Sequence, residues 1–125
     1  LNLSRYFRKV KLEVILEKDR SYKPRVLTLT IRNNGKHETS IEAPVLEYRK
    51  IWSIRKFRLN GIRGNQIYPM FIDAGKMHQL RIDTTTFYEY DRSIKSFYRA
   101  RVRVADVQGR KWRSNAVVLR KSLFT

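Results

Sequence analysis

The side chains of this chain whose type and spacing offer chemistry are arginines. Arg99, Arg101 and Arg103 fall at every second position. In a strand that spacing puts all three on one face, about 6.5–7 Å apart. Lys111 and Arg113 repeat the pattern on the segment that follows, and a tight turn between the two segments would bring them onto the same face. Guanidinium groups grip phosphate or carboxylate through paired N–H donors, so these five residues are the candidate binding site for a polyanion. Crowded like charges repel unless something screens them. Asp106 is the sole acid in residues 96–125, which leaves Glu13, Glu17 or Glu47, from other strands, to supply a counter-charge. The competing explanation is a charged sheet that stays soluble and resists edge-to-edge aggregation.

Catalytic constellations are not legible. The two histidines differ in setting: His37 lies in a polar turn, and His78 shares the parity of Leu80 and Ile82, which reads as a partly buried strand position. There is no nucleophile elbow, phosphate-binding Gly-rich loop or His-Glu-x-x-His. A metal would have to use Asp73, Asp83, Glu89 and Asp91, which lack ligand spacing. With no cysteine there is no disulfide, thiolate metal site or thiol nucleophile. The reading is a chain without enzymatic activity or cofactor.

Charge and composition narrow the partner class. The chain has 125 residues, 28 Lys+Arg and 11 Asp+Glu, hence a net charge of +17. Residues 66–95 hold four bases and four acids, whereas residues 96–125 hold eight and one. That asymmetry predicts a one-sided field that attracts an anion: an acidic protein, a glycan, a lipid headgroup or a nucleic acid. A hydrophobic content of 42% is enough for a folded core. The length fits one domain, residues 1–125. The longest apolar run, Ala116–Leu119, is far shorter than a membrane helix. No signal peptide is visible, but the sequence begins with Leu1. The expectation is a longer native chain, anchored or exported if a missing leader directs it. The basic, aromatic stretch Arg5–Lys11 would then flank a membrane.

The elements that must position these residues read as strands. Val10, Leu12, Val14 and Leu16 alternate with Lys9, Lys11, Glu13, Ile15 and Glu17, as do Leu27, Leu29 and Ile31 with Thr28, Thr30 and Arg32. Asn33-Asn34-Gly35 closes the second run. A short strand is expected around Ile41–Val45, with Pro44 confining it to an edge. Residues 48–59 read as a strand, with a bulge near Arg55-Lys56 because Trp52 and Ile54 share one parity and Phe57 and Leu59 the other, or as a helix with Tyr48, Ile51, Trp52 and Leu59 on one face. The hairpin turn signal at Asn60-Gly61, before a return over 66–72, favours the strand. Asp73–Lys76 is a turn before Leu80 and Ile82. Thr84–Asp91 has no clean period and is left as a connection or short helix. Tyr98, Ala100, Val102 and Val104 alternate with the arginines. Asp106–Gly109 is a tight loop, and Lys111–Arg120 returns. Trp112 has the opposite parity to Val117 and Leu119, so burying all three demands a break at Ser114-Asn115-Ala116.

About seven short strands without βα alternation indicate an antiparallel β-sandwich or a barrel. Residues 98–119, with Tyr98, Arg101–Val104, Gly109-Arg110, Trp112, Ser114-Asn115, Val117 and Leu119, resemble the final hairpin of fibronectin type III and related immunoglobulin-like domains. The second-strand region departs from them in having no Trp. The resemblance implies an all-β immunoglobulin-like sandwich of the kind that serves as a binding or accessory module. The alternative is a nucleic-acid-binding, OB-like barrel. There Trp52, Tyr68, Phe97 or Trp112 would stack on bases beside the arginines. Gly61-Ile62-Arg63-Gly64 matches the bare GxxG of KH domains, but its flanks read as strands and an Asn-Gly turn explains it.

Overall fold

A computed structural model describes residues 10–18, 26–60 and 67–119. The stretch Arg5–Lys9, the GxxG segment and the start of the 66–72 return lie outside them.

The two leading alternating runs pair in full. Strand β1 (Leu12–Lys18) runs antiparallel to β2 (Val26–Asn33), with Val14 opposite Ile31 and Leu16 opposite Leu29. Further along the chain, β7 (Met77–Asp83) adds to the other side of β2. Together they form a three-stranded sheet in the order β1-β2-β7. Two short strands, β3 (Thr39–Ile41) and β6 (Met70–Ile72), form a separate antiparallel pair. The third sheet contains β4 (Val45–Lys50), β5 (Ser53–Arg58), β8 (Arg99–Ala105), β9 (Lys111–Arg113) and β10 (Val117–Val118). Its order is β10-β8-β4-β5, with β9 also on β8. Among the described strands it is open, with β5 at one edge. Ten antiparallel strands make the described chain mostly β, in three sheets where about seven strands were expected.

Alternation decides the core. Leu12, Val14 and Leu16, Leu27, Leu29 and Ile31, and Leu46, Tyr48, Val102 and Val104 are all buried in one cluster, to which both larger sheets contribute. The aromatic segment resolves into helix α1 (Thr84–Tyr90) and a 3-10 turn over Arg92–Ser96. Asp83 and Asp91 cap these by accepting from the backbone N–H groups of Thr85 and Ser93, both at 3.0 Å. The helix lays Phe87 and Tyr88 over one end of the core, with the Phe87 ring 5.0 Å from Phe57 and 6.3 Å from Tyr48. Tyr90 stays largely exposed.

Residues 48–59 correct the expectation. They are not one bulged strand but parts of two. Lys50 pairs with Ser53, and Ile51-Trp52 is the turn between β4 and β5. No bulge is needed near Arg55-Lys56, because Ile54 and Phe57 lie on opposite faces of β5: Ile54 is exposed opposite Arg49, and Phe57 packs on the core opposite Leu46. The described part of the expected return, β6, pairs with β3 and not with β5; the expected turn at Asn60-Gly61 lies partly outside the described residues. Pro44 lies in the connection between β3 and β4, outside both strands.

The break at Ser114–Ala116 is present. Arg103 pairs with Arg113 and Ala100 with Val117, so three steps along β8 match four along the return. One extra residue flips the parity, and Trp112, Val117 and Leu119 all turn to the core side. Ser114 stabilises the bulge, accepting from the Val102 N–H at 2.9 Å. Asn115 uses its amide as a strand would use its backbone. It accepts from the Leu16 N–H and donates to the Leu16 carbonyl, both at 2.9 Å, linking β1 to the five-stranded sheet.

Candidate anion-binding face

Cross-strand register carries the arginines to one side. Arg99, Arg101 and Arg103 alternate with inward Ala100, Val102 and Val104 on β8. Arg113 stands opposite Arg103, and Lys111 opposite Ala105, on the same face. All five residues singled out from the sequence are therefore brought together. Three more cations join them from the strands on the other side of β8. Arg49 is opposite Arg99, and Lys56 and Arg58 stand opposite Glu47 and Val45. Sequence reasoning missed these three because it took residues 48–59 as one strand. The sequence carried no turn signal at Ile51-Trp52, and its parity conflict lay further along, near Arg55-Lys56.

Among the described residues, one buried carboxylate lies within this face, and Glu42 stands exposed at the rim of its cleft. Glu47 lies between β5 and β8, opposite both Lys56 and Arg101, with its side chain 1% exposed. Its Oε2 accepts from Arg103 Nε at 2.7 Å and lies 3.8 Å from Lys56 Nζ. Glu47 is thus the screen, while Glu13 pairs with Arg32 on the other large sheet. Glu47 and the exposed Glu42 are outnumbered by eight cations. Glu47 Oε1, Arg49 Nε and Arg101 Nε are buried without a hydrogen-bond partner among the described residues. Burial, and then the charges of Arg49, Arg113 and Arg103, press Arg101 below the usual arginine pKa, with Glu47 acting against them. An anion on this face would accept from the orphaned guanidinium N–H groups and relieve the repulsion.

The same face opens into a cleft of about 710 Å³. Lys56, Arg58, Arg103, Lys111 and Arg113 line it, together with Glu42, Glu47 and the apolar groups of Val45 and Trp112. Long, partly apolar arginine stems over such a cleft suit an extended anion more than a small one.

Three other titratable groups, His78, Tyr68 and Asp106, are engaged away from this face. His78 Nε2 is 3.0 Å from the Tyr68 hydroxyl, and burial lowers the His78 pKa and raises that of Tyr68. Asp106 accepts from Arg110 Nε at 2.6 Å and from Thr39 Oγ1 at 3.1 Å, and fixes the β8–β9 loop. Among the described residues no cluster of three His, Cys, Asp or Glu could hold a metal, and no helix is long and apolar enough to cross a membrane.

Compared with known proteins, the chain matches no family model and no curated sequence. Among solved structures it is similar to one described as an ApaA protein of Bordetella pertussis, 11% identical, with a TM-score of 0.44, covering 90% of this chain and 94% of that one. It is also similar to an X-ray structure from a structural genomics consortium, 12% identical, with a TM-score of 0.41, covering 87% and 84%.

Proposed function

We propose that this chain is a non-enzymatic, immunoglobulin-like β-sandwich module that binds a polyanionic partner through the outward face of its five-stranded sheet. The observation that carries the reading is the charge imbalance of that face. Eight cations share one buried carboxylate, and two guanidinium Nε groups have no partner among the described residues. A face built only for solubility would leave such groups hydrated at its rim. The sandwich reading is supported by two antiparallel sheets that contribute to one core, and by the β8–β9 hairpin with its bulged return. An OB-like barrel requires closure, whereas the open order β10-β8-β4-β5 leaves β5 at an edge. The non-catalytic reading is supported by how the acids are used: Asp83 and Asp91 cap helices, and Asp106 and Glu47 hold arginines.

Heparin and short nucleic-acid duplexes, titrated at increasing salt, test the face. Binding is expected at low salt, weakening steeply as salt rises. Arg99→Ser/Arg101→Ser/Arg103→Ser should lose most of it. A triple variant that binds like the parent, or a parent that binds neither ligand at low salt, reduces the arginines to a solubility device.

A further inference from the structure

The β4–β5 turn breaks the usual chemistry of two-residue hairpins. Such turns favour Asn, Asp or Gly, which tolerate their backbone angles. Here they are Ile51 and Trp52, 63% and 95% exposed, with Ile54 beside them at 43%. Neither the turn nor the core calls for these residue types, and a local rule broken without a structural return marks a functional position. The tip is continuous with the cationic face. Arg49 stands opposite Ile54 on one side and Arg99 on the other, and Arg101 follows one pleat further along. An apolar prow thus projects from the end of a cationic sheet.

We propose that the polyanion is the surface of an anionic lipid bilayer, with Ile51 and Trp52 entering the interface while the arginines contact headgroups. This rests on the reading of the face as an anion site. Charge complementarity selects the lipid. Acidic headgroups match the arginines, and the acyl boundary beneath them matches the projecting apolar tip. Indole rings favour that interfacial depth. A base-stacking site would need the flat ring of Trp52 alone. It gives no use to two exposed isoleucines, which have bulk but no π-face.

The experiment co-sediments the full chain with vesicles of phosphatidylcholine, with and without phosphatidylserine, alongside heparin binding. Sedimentation is expected with the phosphatidylserine vesicles and much less with phosphatidylcholine alone. Ile51→Ser/Trp52→Ser should weaken vesicle binding about tenfold, because its apolar anchor is gone. It should leave heparin binding within about twofold, because no arginine is altered. With Trp112→Phe, Trp52 is the sole tryptophan, and its emission should shift to the blue on the acidic vesicles. If that variant fails to fold, the sedimentation of the parent and the tip variant still decides. A parent that binds heparin but ignores phosphatidylserine vesicles overturns the lipid assignment and leaves the anion face standing. So does a tip variant that sediments like the parent. Binding to neither ligand overturns both. Trp52 quenching by single-stranded DNA, without vesicle binding, makes nucleic acid the partner instead.

Discussion

At Asp106 one buried carboxylate organises a whole loop. It accepts from the backbone N–H groups of Gln108 and Arg110, from Arg110 Nε and from Thr39 Oγ1. Gly109, at φ +89°, completes the turn in a conformation that favours glycine. Burial alone would raise the Asp106 pKa, but the hydrogen bonds from Arg110 and Thr39 outweigh it and hold the carboxyl below its ordinary value. A depressed folded pKa contributes stability above the unfolded value, and that contribution is lost as pH falls through the folded one. Asp106→Asn should therefore cost about 2–3 kcal/mol at neutral pH, since one amide cannot accept from all these donors. Its stability should also fall less steeply than the parent's below about pH 4. Urea denaturation across pH measures both, and parallel acid limbs would show that Asp106 is not the responsible group. The sequence marked 106–109 as a loop with Gly in its left-handed position. It could not mark Asp106 as buried, because Thr39 reaches it from 67 residues away.

Among elements, the β9–β10 return shows how local pattern and tertiary contact divide the work. The parity conflict between Trp112 and Val117 was readable, because side chains alternate with period two and a buried set must share a face. That fixed the place of the bulge at Ser114–Ala116. Its second role was not readable: Asn115 bonds both backbone groups of Leu16, 99 residues away. Asn115→Ala should cost about 1–2 kcal/mol, from two lost amide hydrogen bonds and the bare edge of β1. Hydrogen exchange should show the Leu16 amide losing protection while Leu29, in the middle of the three-stranded sheet, keeps it. Unchanged exchange at Leu16 would mean the bridge is not maintained in solution. The β4–β5 hairpin is the converse case. With no turn residue at Ile51-Trp52, propensity favoured one continuous strand, and only the antiparallel pairing of β4 with β5 revealed two.

For the whole molecule, the +17 charge acts through its placement. Glu47 holds the cationic face together from beneath, in contact with Arg103 and near Lys56. Glu47→Gln removes the central counter-charge and should cost about 1–3 kcal/mol at low ionic strength, the outer partners being half-exposed and partly screened by water. Tripolyphosphate at low concentration should raise the melting temperature of the parent, because a ligand bound to the folded state stabilises it. It should raise that of the variant more. A variant as stable as the parent in low salt, with no response to the anion, would show that the face tolerates its own repulsion.

The sequence by itself determined the strand character, the alternation that buries one face of each run, the arginine stripe of β8 and the bulge its partner needs. All of these follow from the period-two geometry of a strand and involve residues close in the chain. Tertiary structure alone decided which strands become neighbours. It set β4 against β8, so that Arg49, Lys56 and Arg58 joined the stripe and Glu47 became its counter-ion. It also split residues 48–59 into a hairpin with an exposed apolar tip. The physical reason is that pairing between distant strands is chosen by how well their buried faces complete a common core. That free energy belongs to the whole assembly and is not written in any single segment.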